Sequence, residues 1–174
     1  MIQEKTLVIL KPDAVQRGLG GEILSRFEKV GLKIVGTKML KPDYNHYFHH
    51  YENIGKMISR RGQKAFDVTL EMMNVGPVIA FVLEGVEAVS LVRKMAGVTE
   101  PKSALPGTIR GDYSHLSFSY ADANDVPINN LIHASGDSEE AKLEIAHWFK
   151  EGELFEYETA YEKFTQTKKH HIKK

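Results

Sequence analysis

Along this chain the apolar positions switch between two periods, and the switches mark the elements. Thr6-Leu-Val-Ile-Leu10 is a short run of strand formers closed by Pro12, and it predicts a buried strand. Asp13 followed by Gln16 three places later has the form of a capping box, so a helical turn is expected there. In residues 22–30, Ile23, Leu24, Phe27 and Val30 fall at helical spacing, and Gly31 supplies a stop. Residues 32–40 alternate and predict a second strand. Residues 43–51 and 64–73 read as helices, the second with Phe66, Leu70 and Met73 on one face, and the region around Gly62 fits neither period. Gly76-Pro77 marks a turn, and Val78-Ile-Ala-Phe-Val-Leu83 is apolar throughout, the pattern of a central strand. Residues 86–95 predict a helix ending near Gly97. Residues 98–127 hold no sustained period and read as a long loop, which in a compact domain is usually functional or disordered. Residues 128–132 predict the last strand. Residues 138–148 predict the last helix, with Ala141, Ile145 and Trp148 facing inward.

This order is the βαββαβ pattern of the ferredoxin-like split motif. It implies an α+β fold, an antiparallel sheet with helices packed on one face. Nothing divides the chain, so residues 1–164 read as a single domain. Residues 165–174 form a basic tail (Lys168, Lys169, His170, His171, Lys173, Lys174), read as a mobile, solvated end rather than a nucleic-acid contact.

Composition acts mainly by exclusion. A chain of 174 residues suffices for one domain with a real core. Its formal net charge of zero gives no overall pull towards nucleic acid or an anionic membrane. The absence of cysteine removes disulfides, thiolate nucleophiles and cysteine-ligated zinc. No apolar run approaches a membrane span, and Met1-Ile-Gln-Glu-Lys5 shows no basic segment leading into an apolar one. A cytoplasmic protein is expected.

The densest chemistry lies in Asn130-Asn-Leu-Ile-His133-Ala-Ser135-Gly-Asp137-Ser138. An imidazole can attack a phosphoryl group near neutral pH, because its neutral form is populated there. A lone histidine is more often a core residue with one satisfied hydrogen bond, but this one has company. Lys11-Pro12-Asp13 follows an apolar strand, where a lysine can reach into a cleft at the strand end. Arg93 lies late in a helix, where a cation also simply complements the dipole. Thr99-Glu100-Pro101 and the glycine-rich Pro106-Gly-Thr-Ile-Arg110-Gly-Asp112 follow, and an arginine fork fits phosphate oxygens. A nucleophile, cations and donors are the parts that phosphoryl transfer needs. His46, His49 and His50 have a helical spacing that would suit a metal, yet no further ligand is evident and a solvated helix face explains them.

Together these segments resemble the nucleoside diphosphate kinase family, over the chain up to about Tyr161. The resemblance implies that His133 is the phosphorylated histidine and that Ser135 stands at the family's serine. It implies that Glu144 orients the imidazole and that the Tyr51 hydroxyl lies beside it. Lys11 would contact the transferred phosphate, Arg93, Thr99 and Arg110 the nucleotide phosphates, and Asn130 the ribose. The position that stacks on the base falls at Ala65, with Phe66 beside it. The implied activity is ping-pong transfer of the terminal phosphate of a nucleoside triphosphate, usually ATP, to a nucleoside diphosphate. Mg2+ would arrive with the nucleotide rather than in a protein metal site, stacking would tolerate many bases, and a homo-oligomer, hexamer or tetramer, is expected.

The chain departs from the family pattern in several places. Gly136 stands between Ser135 and Asp137, and is expected to bulge the helix start and disturb both neighbours. Glu100 replaces the usual asparagine. Extra residues fall at roughly 59–63, and residues 114–127 form an insertion expected at the rim of the cleft or at a subunit contact. Gly136 and Ala65 motivate a second reading, a nucleotide-binding or regulatory module of the same fold with weak turnover.

Overall fold

The computed structural model describes residues 3–165. Strand β1 (Gln3–Leu10) is followed by α1 (Pro12–Gln16), α2 (Gly20–Lys29), β2 (Lys33–Leu40) and α3 (Tyr44–Phe48). A π-helical segment (His49–Ile54) leads to α4 (Met57–Arg61), α5 (Gln63–Asn74), β3 (Val78–Val86) and α6 (Ala88–Ala96). A 3-10 turn (Pro101–Ser103), α7 (Ile109–Tyr113), α8 (Phe118–Ala123), β4 (Ile132–Ala134), α9 (Ser138–Trp148) and α10 (Glu162–Thr165) complete the order. The sheet runs β2-β3-β1-β4 with every pairing antiparallel, the ferredoxin-like arrangement, and β3 is central as its unbroken apolar run requires.

Helices cover both faces of the sheet, not one. Leu7, Val8, Ile9 and Leu10 are consecutive and all fully buried, and successive strand residues point to opposite faces, so each face needs a cover. Val8 and Leu10 pack with Ile23 and Phe27 of α2 and Val92 of α6. Leu7 and Ile9 pack with Tyr47, Phe66, Leu70, Met73 and Trp148 from α3, α5 and α9. Each large apolar side chain buried this way contributes about 1.5–3 kcal/mol.

Four local expectations give way to the structure. The capping box does not form: α1 begins at Lys11 without a side-chain cap, and the Asp13 carboxylate instead accepts the Leu131 N–H at 3.0 Å. The helix expected over 43–51 is α-helical only to Phe48, with Asp43 as its cap. The quiet stretch 98–127 contains α7 and α8, too short to show a period. The last strand starts at Ile132 rather than 128, because a tight turn intervenes: Ile132 N–H donates to the Asn130 carbonyl at 2.8 Å across Leu131, whose φ is +70°. That is a γ-turn of the rare, strained kind. Among the described residues no helix is long and apolar enough to cross a membrane. Apart from Thr165, the basic tail lies outside the described residues.

Candidate active site

A cleft of about 530 Å³ opens between β4, the π-helical segment, α4, α6 and α7. His133 stands in its wall on β4, paired across the sheet with Ile9. Its Nε2 lies 2.7 Å from Glu144 Oε1 on α9. The other carboxylate oxygen, Oε2, accepts the Ser135 hydroxyl at 2.6 Å, and that hydroxyl oxygen accepts the Leu7 N–H at 3.2 Å. Glu144 is 1% exposed, so this chain runs from the sheet backbone to the imidazole with almost no water access. A carboxylate facing Nε2 holds the ring proton there and leaves Nδ1 with the lone pair. The extra Gly136 does not displace Ser135. Asp137 Oδ1 caps α9 by accepting the Glu139 and Glu140 N–H groups at 2.9 and 2.8 Å, so the insertion is absorbed before the first helical turn. The ground for a disabled site at this position therefore goes.

Lys11 follows β1 directly, and its ammonium donates to Asn130 Oδ1 at 2.8 Å. The Asn130 amide donates in turn to the Thr99 carbonyl at 2.9 Å, so three of the expected residues are linked. Burial and then the nearby Arg110 charge lower the Lys11 pKa to about 8, with Asp13 opposing.

Arg110 is aimed by the glycine-rich loop. Thr108 caps α7, and any side chain at Gly111 would strike the Leu105 carbonyl, so only glycine lets the loop close. The guanidinium donates to the carbonyls of Gly97 at 2.7 Å, Asn130 at 3.2 Å and Ile132 at 2.5 Å. Three of its five donors are thus used by the scaffold, and two are left for a ligand. Burial, then Arg93, brings its pKa to about 10, and it stays charged. Arg93 is exposed on the same cleft wall. Arg60 and Arg61 of α4 also line the cleft, and Arg61 is close enough to depress Lys11 further. Sequence reasoning missed these two; their position in a stretch without clear period hid them.

The π-helical segment presents His50 and Tyr51 together. Its wider turn, closed by Gly55 N–H to the His50 carbonyl at 3.1 Å, buries both consecutive residues against the site. The Tyr51 ring lies 6.4 Å from that of His133. Burial pushes its phenol far above the usual range, so it is a donor at neutral pH, and its oxygen has no partner among the described residues. His50 accepts the Trp148 indole N–H at Nδ1 (3.1 Å) and stands edge-on to His133 at 4.6 Å. His46 does not join a metal set with His49 and His50. It stacks on His147 at 3.9 Å, and burial pushes its pKa down to about 4. Among the described residues, the three-donor group with metal-like spacing is His50, His133 and Glu144, part of the cleft wall itself, with His50 and Glu144 buried and His133 partly exposed.

The structure does not bring the expected base-stacking position into the cleft. Ala65 is not in the cleft wall, and Phe66 is fully buried, edge-on to Phe48 in the core. Met57, Arg60 and Arg61 of α4 and Ile128, just after the insertion, also wall the cleft. The 114–127 insertion lies at this rim. Phe118 sits under the Arg61 guanidinium at 5.5 Å, and Asp125 pairs with Lys64 of α5 at 2.6 Å. Glu100 anchors the insertion by accepting the Phe118 N–H at 2.8 Å. The substitution at Glu100 and the insertion are therefore one structural unit.

A family model described as "Nucleoside diphosphate kinase" matches residues 4–154. The chain is 51% identical over 157 residues to a nucleoside diphosphate kinase of Pyrococcus horikoshii, covering 90% of this chain and 92% of that protein. Among solved structures it is similar to a transition-state mimic of the Borrelia burgdorferi nucleoside-diphosphate kinase with bound vanadate and ADP. The TM-score is 0.89 and the identity 44%, with 93% of this chain and 96% of that chain covered. A halophilic nucleoside diphosphate kinase from Halobacterium salinarum, in complex with CDP, aligns with a TM-score of 0.79 at 36% identity, over 94% of this chain and 98% of that one.

Proposed function

Since the chain belongs to the nucleoside diphosphate kinase family, and so transfers the terminal phosphate of a nucleoside triphosphate to a nucleoside diphosphate, we propose that His133 carries that phosphate between the two nucleotides. The supporting observation is the Ser135–Glu144–His133 chain, which ties up Nε2 and leaves Nδ1 as the nucleophilic nitrogen on a cleft lined by cations. The Nδ1 lone pair forms the bond to the terminal phosphorus. The bond from phosphorus to the bridging oxygen breaks, and the diphosphate leaves with that electron pair. A second diphosphate reverses the step, and its terminal oxygen takes the phosphoryl group from His133.

Lys11, Arg93 and Arg110 oppose the charge on the phosphate oxygens, and Arg61 adds a fourth cation. Tyr51 and Thr99 supply hydroxyls to the same oxygens, and Asn130, already held by Lys11, faces the ribose. Mg2+ fits as a passenger of the nucleotide. It prefers oxygen ligands, whereas the three-donor group among the described residues contains two histidines. Asp137, whose Oδ1 alone makes the helix cap, is a wall carboxylate that could meet the ion's water shell. The ion neutralises charge on the phosphate oxygens when bound. The base rests between Met57 and Ile128, apolar contacts that any base can make, so broad base tolerance follows. A homo-oligomer, tetramer or hexamer, fits the end of the β2 edge that the 153–157 segment leaves uncovered, where Met39 is 60% exposed.

The test is labelling. Incubation with terminally radiolabelled ATP should yield an acid-labile, base-stable label at His133 that passes to several nucleoside diphosphates. Nucleotide binding without any label would refute the reading.

A further inference from the structure

The geometry points to Asp13 as a positioning residue for phosphoryl transfer: its carboxylate holds the strained turn at Leu131 from which His133 and Asn130 are both aimed into the cleft. The inference rests on the role given to His133.

A left-handed backbone at a branched, bulky residue is unfavourable, and it persists only where the surroundings over-determine it. Here each peptide group of the turn is gripped. The Asn130 and Ile132 carbonyls accept from Arg110, and the Leu131 carbonyl accepts the Lys11 N–H at 2.8 Å. The Leu131 N–H points the other way, and Asp13 Oδ2 receives it at 3.0 Å. Arg110 and Asp13 thus clamp alternate groups of the same turn with opposite polarity. Asp13 is the side chain that answers the one amide Arg110 cannot.

The turn separates two working residues. Asn130, which receives the Lys11 ammonium, precedes Leu131, and His133 follows two places after it. Relaxing Leu131 to a negative φ would rotate both. The second oxygen of Asp13, Oδ1, is buried and has no partner among the described residues. Its charge is answered at a distance instead, since Asp13 favours the charged forms of both Lys11 and Arg110. One carboxylate therefore supports the nucleophile by geometry and the lysine by charge, and the two roles separate experimentally.

Asp13→Asn keeps an acceptor for the Leu131 N–H and loses the charge. Asp13→Ala loses both. Asp13→Glu keeps the charge and shifts the acceptor by one methylene. The rate of phosphohistidine formation with MgATP in a single turnover is compared with ADP affinity, the thermal midpoint and the pH profile. At pH 7 the asparagine variant should label within about threefold of the wild type, with its alkaline limb moved to lower pH. The alanine variant should label about 10- to 100-fold more slowly while ADP affinity stays within about threefold. The glutamate variant, which decides the matter if alanine does not fold, should label about tenfold more slowly with its alkaline limb in place. Wild-type rates in alanine or glutamate would overturn the inference, as would an asparagine variant as slow as alanine or with an unmoved limb. A wild type that takes no label would instead sink the reading of His133.

Discussion

Glu144 Oε1 lies 2.7 Å from His133 Nε2, and the carboxylate's other oxygen lies 2.6 Å from the Ser135 hydroxyl. The pair fixes which ring nitrogen is nucleophilic, because a carboxylate accepts and never donates here. Glu144→Gln can turn an N–H towards the ring and select the wrong tautomer. We expect kcat to fall by about 10- to 100-fold with nucleotide KM little changed. Steady-state kinetics check this, and an unaltered kcat would dismiss Glu144 as an orienting group.

His133→Gln removes the nucleophile but no cation. Phosphoenzyme should vanish, while ADP affinity by calorimetry stays within about tenfold. A parallel loss of affinity would mark His133 as a structural residue instead.

Lys11 gives the pH dependence its sign. Burial has lowered its pKa to about 8. The charged form is the useful one, so kcat/KM should hold below pH 8 and decline as pH rises through it. Bound phosphate favours the ammonium, so the limb in kcat should lie higher than that in kcat/KM. Lys11→Arg should carry the limb of kcat/KM to more alkaline pH. A flat profile through pH 9 would contradict the assignment.

Arg93 and Arg110 should separate in stability. Arg93 is exposed, and Arg93→Ala should cost turnover with a change in stability of about 0.5 kcal/mol or less. Arg110→Ala takes the donor from the Gly97 and Ile132 carbonyls and leaves that of Asn130 with the Ile132 N–H alone, and should cost about 2 kcal/mol or more in addition to turnover. Urea unfolding beside activity measurements distinguishes them, and equal stability losses would be the contrary result.

Much of this architecture is readable from residue pattern alone, for reasons visible at single positions. The run of Leu7 to Leu10 and the unbroken β3 are apolar at consecutive positions, so both strands must lie inside the sheet, and the βαββαβ order supplies the arrangement. His133, Lys11, Tyr51 and Arg110 carry chemistry that their neighbours in the chain already advertise, and the cleft gathers them. What stayed hidden depends on distance and backbone twist. Asp13 looked like a local cap because Gln16 is near in sequence, whereas Leu131 is near in space. The γ-turn leaves no periodic trace, so β4 was expected too early. The resemblance puts the stacking position at Ala65, and a linear match cannot register that the extra residues before it build α4. The single-faced sheet was an inference from topology, which says nothing about how many helices the later insertions add.

Glu100 and Phe118 close the account of the rim. Since one anchors the other, loop exchange with a relative that has the shorter connection must replace both segments at once. A chimera receiving only the short loop keeps a carboxylate that holds Ser103 alone, and one receiving only the asparagine takes one tether from the α8 entrance beside Arg61. The two stretches form a cassette split by sequence, and an engineer who wished to retune base preference would cut at its two ends rather than within it.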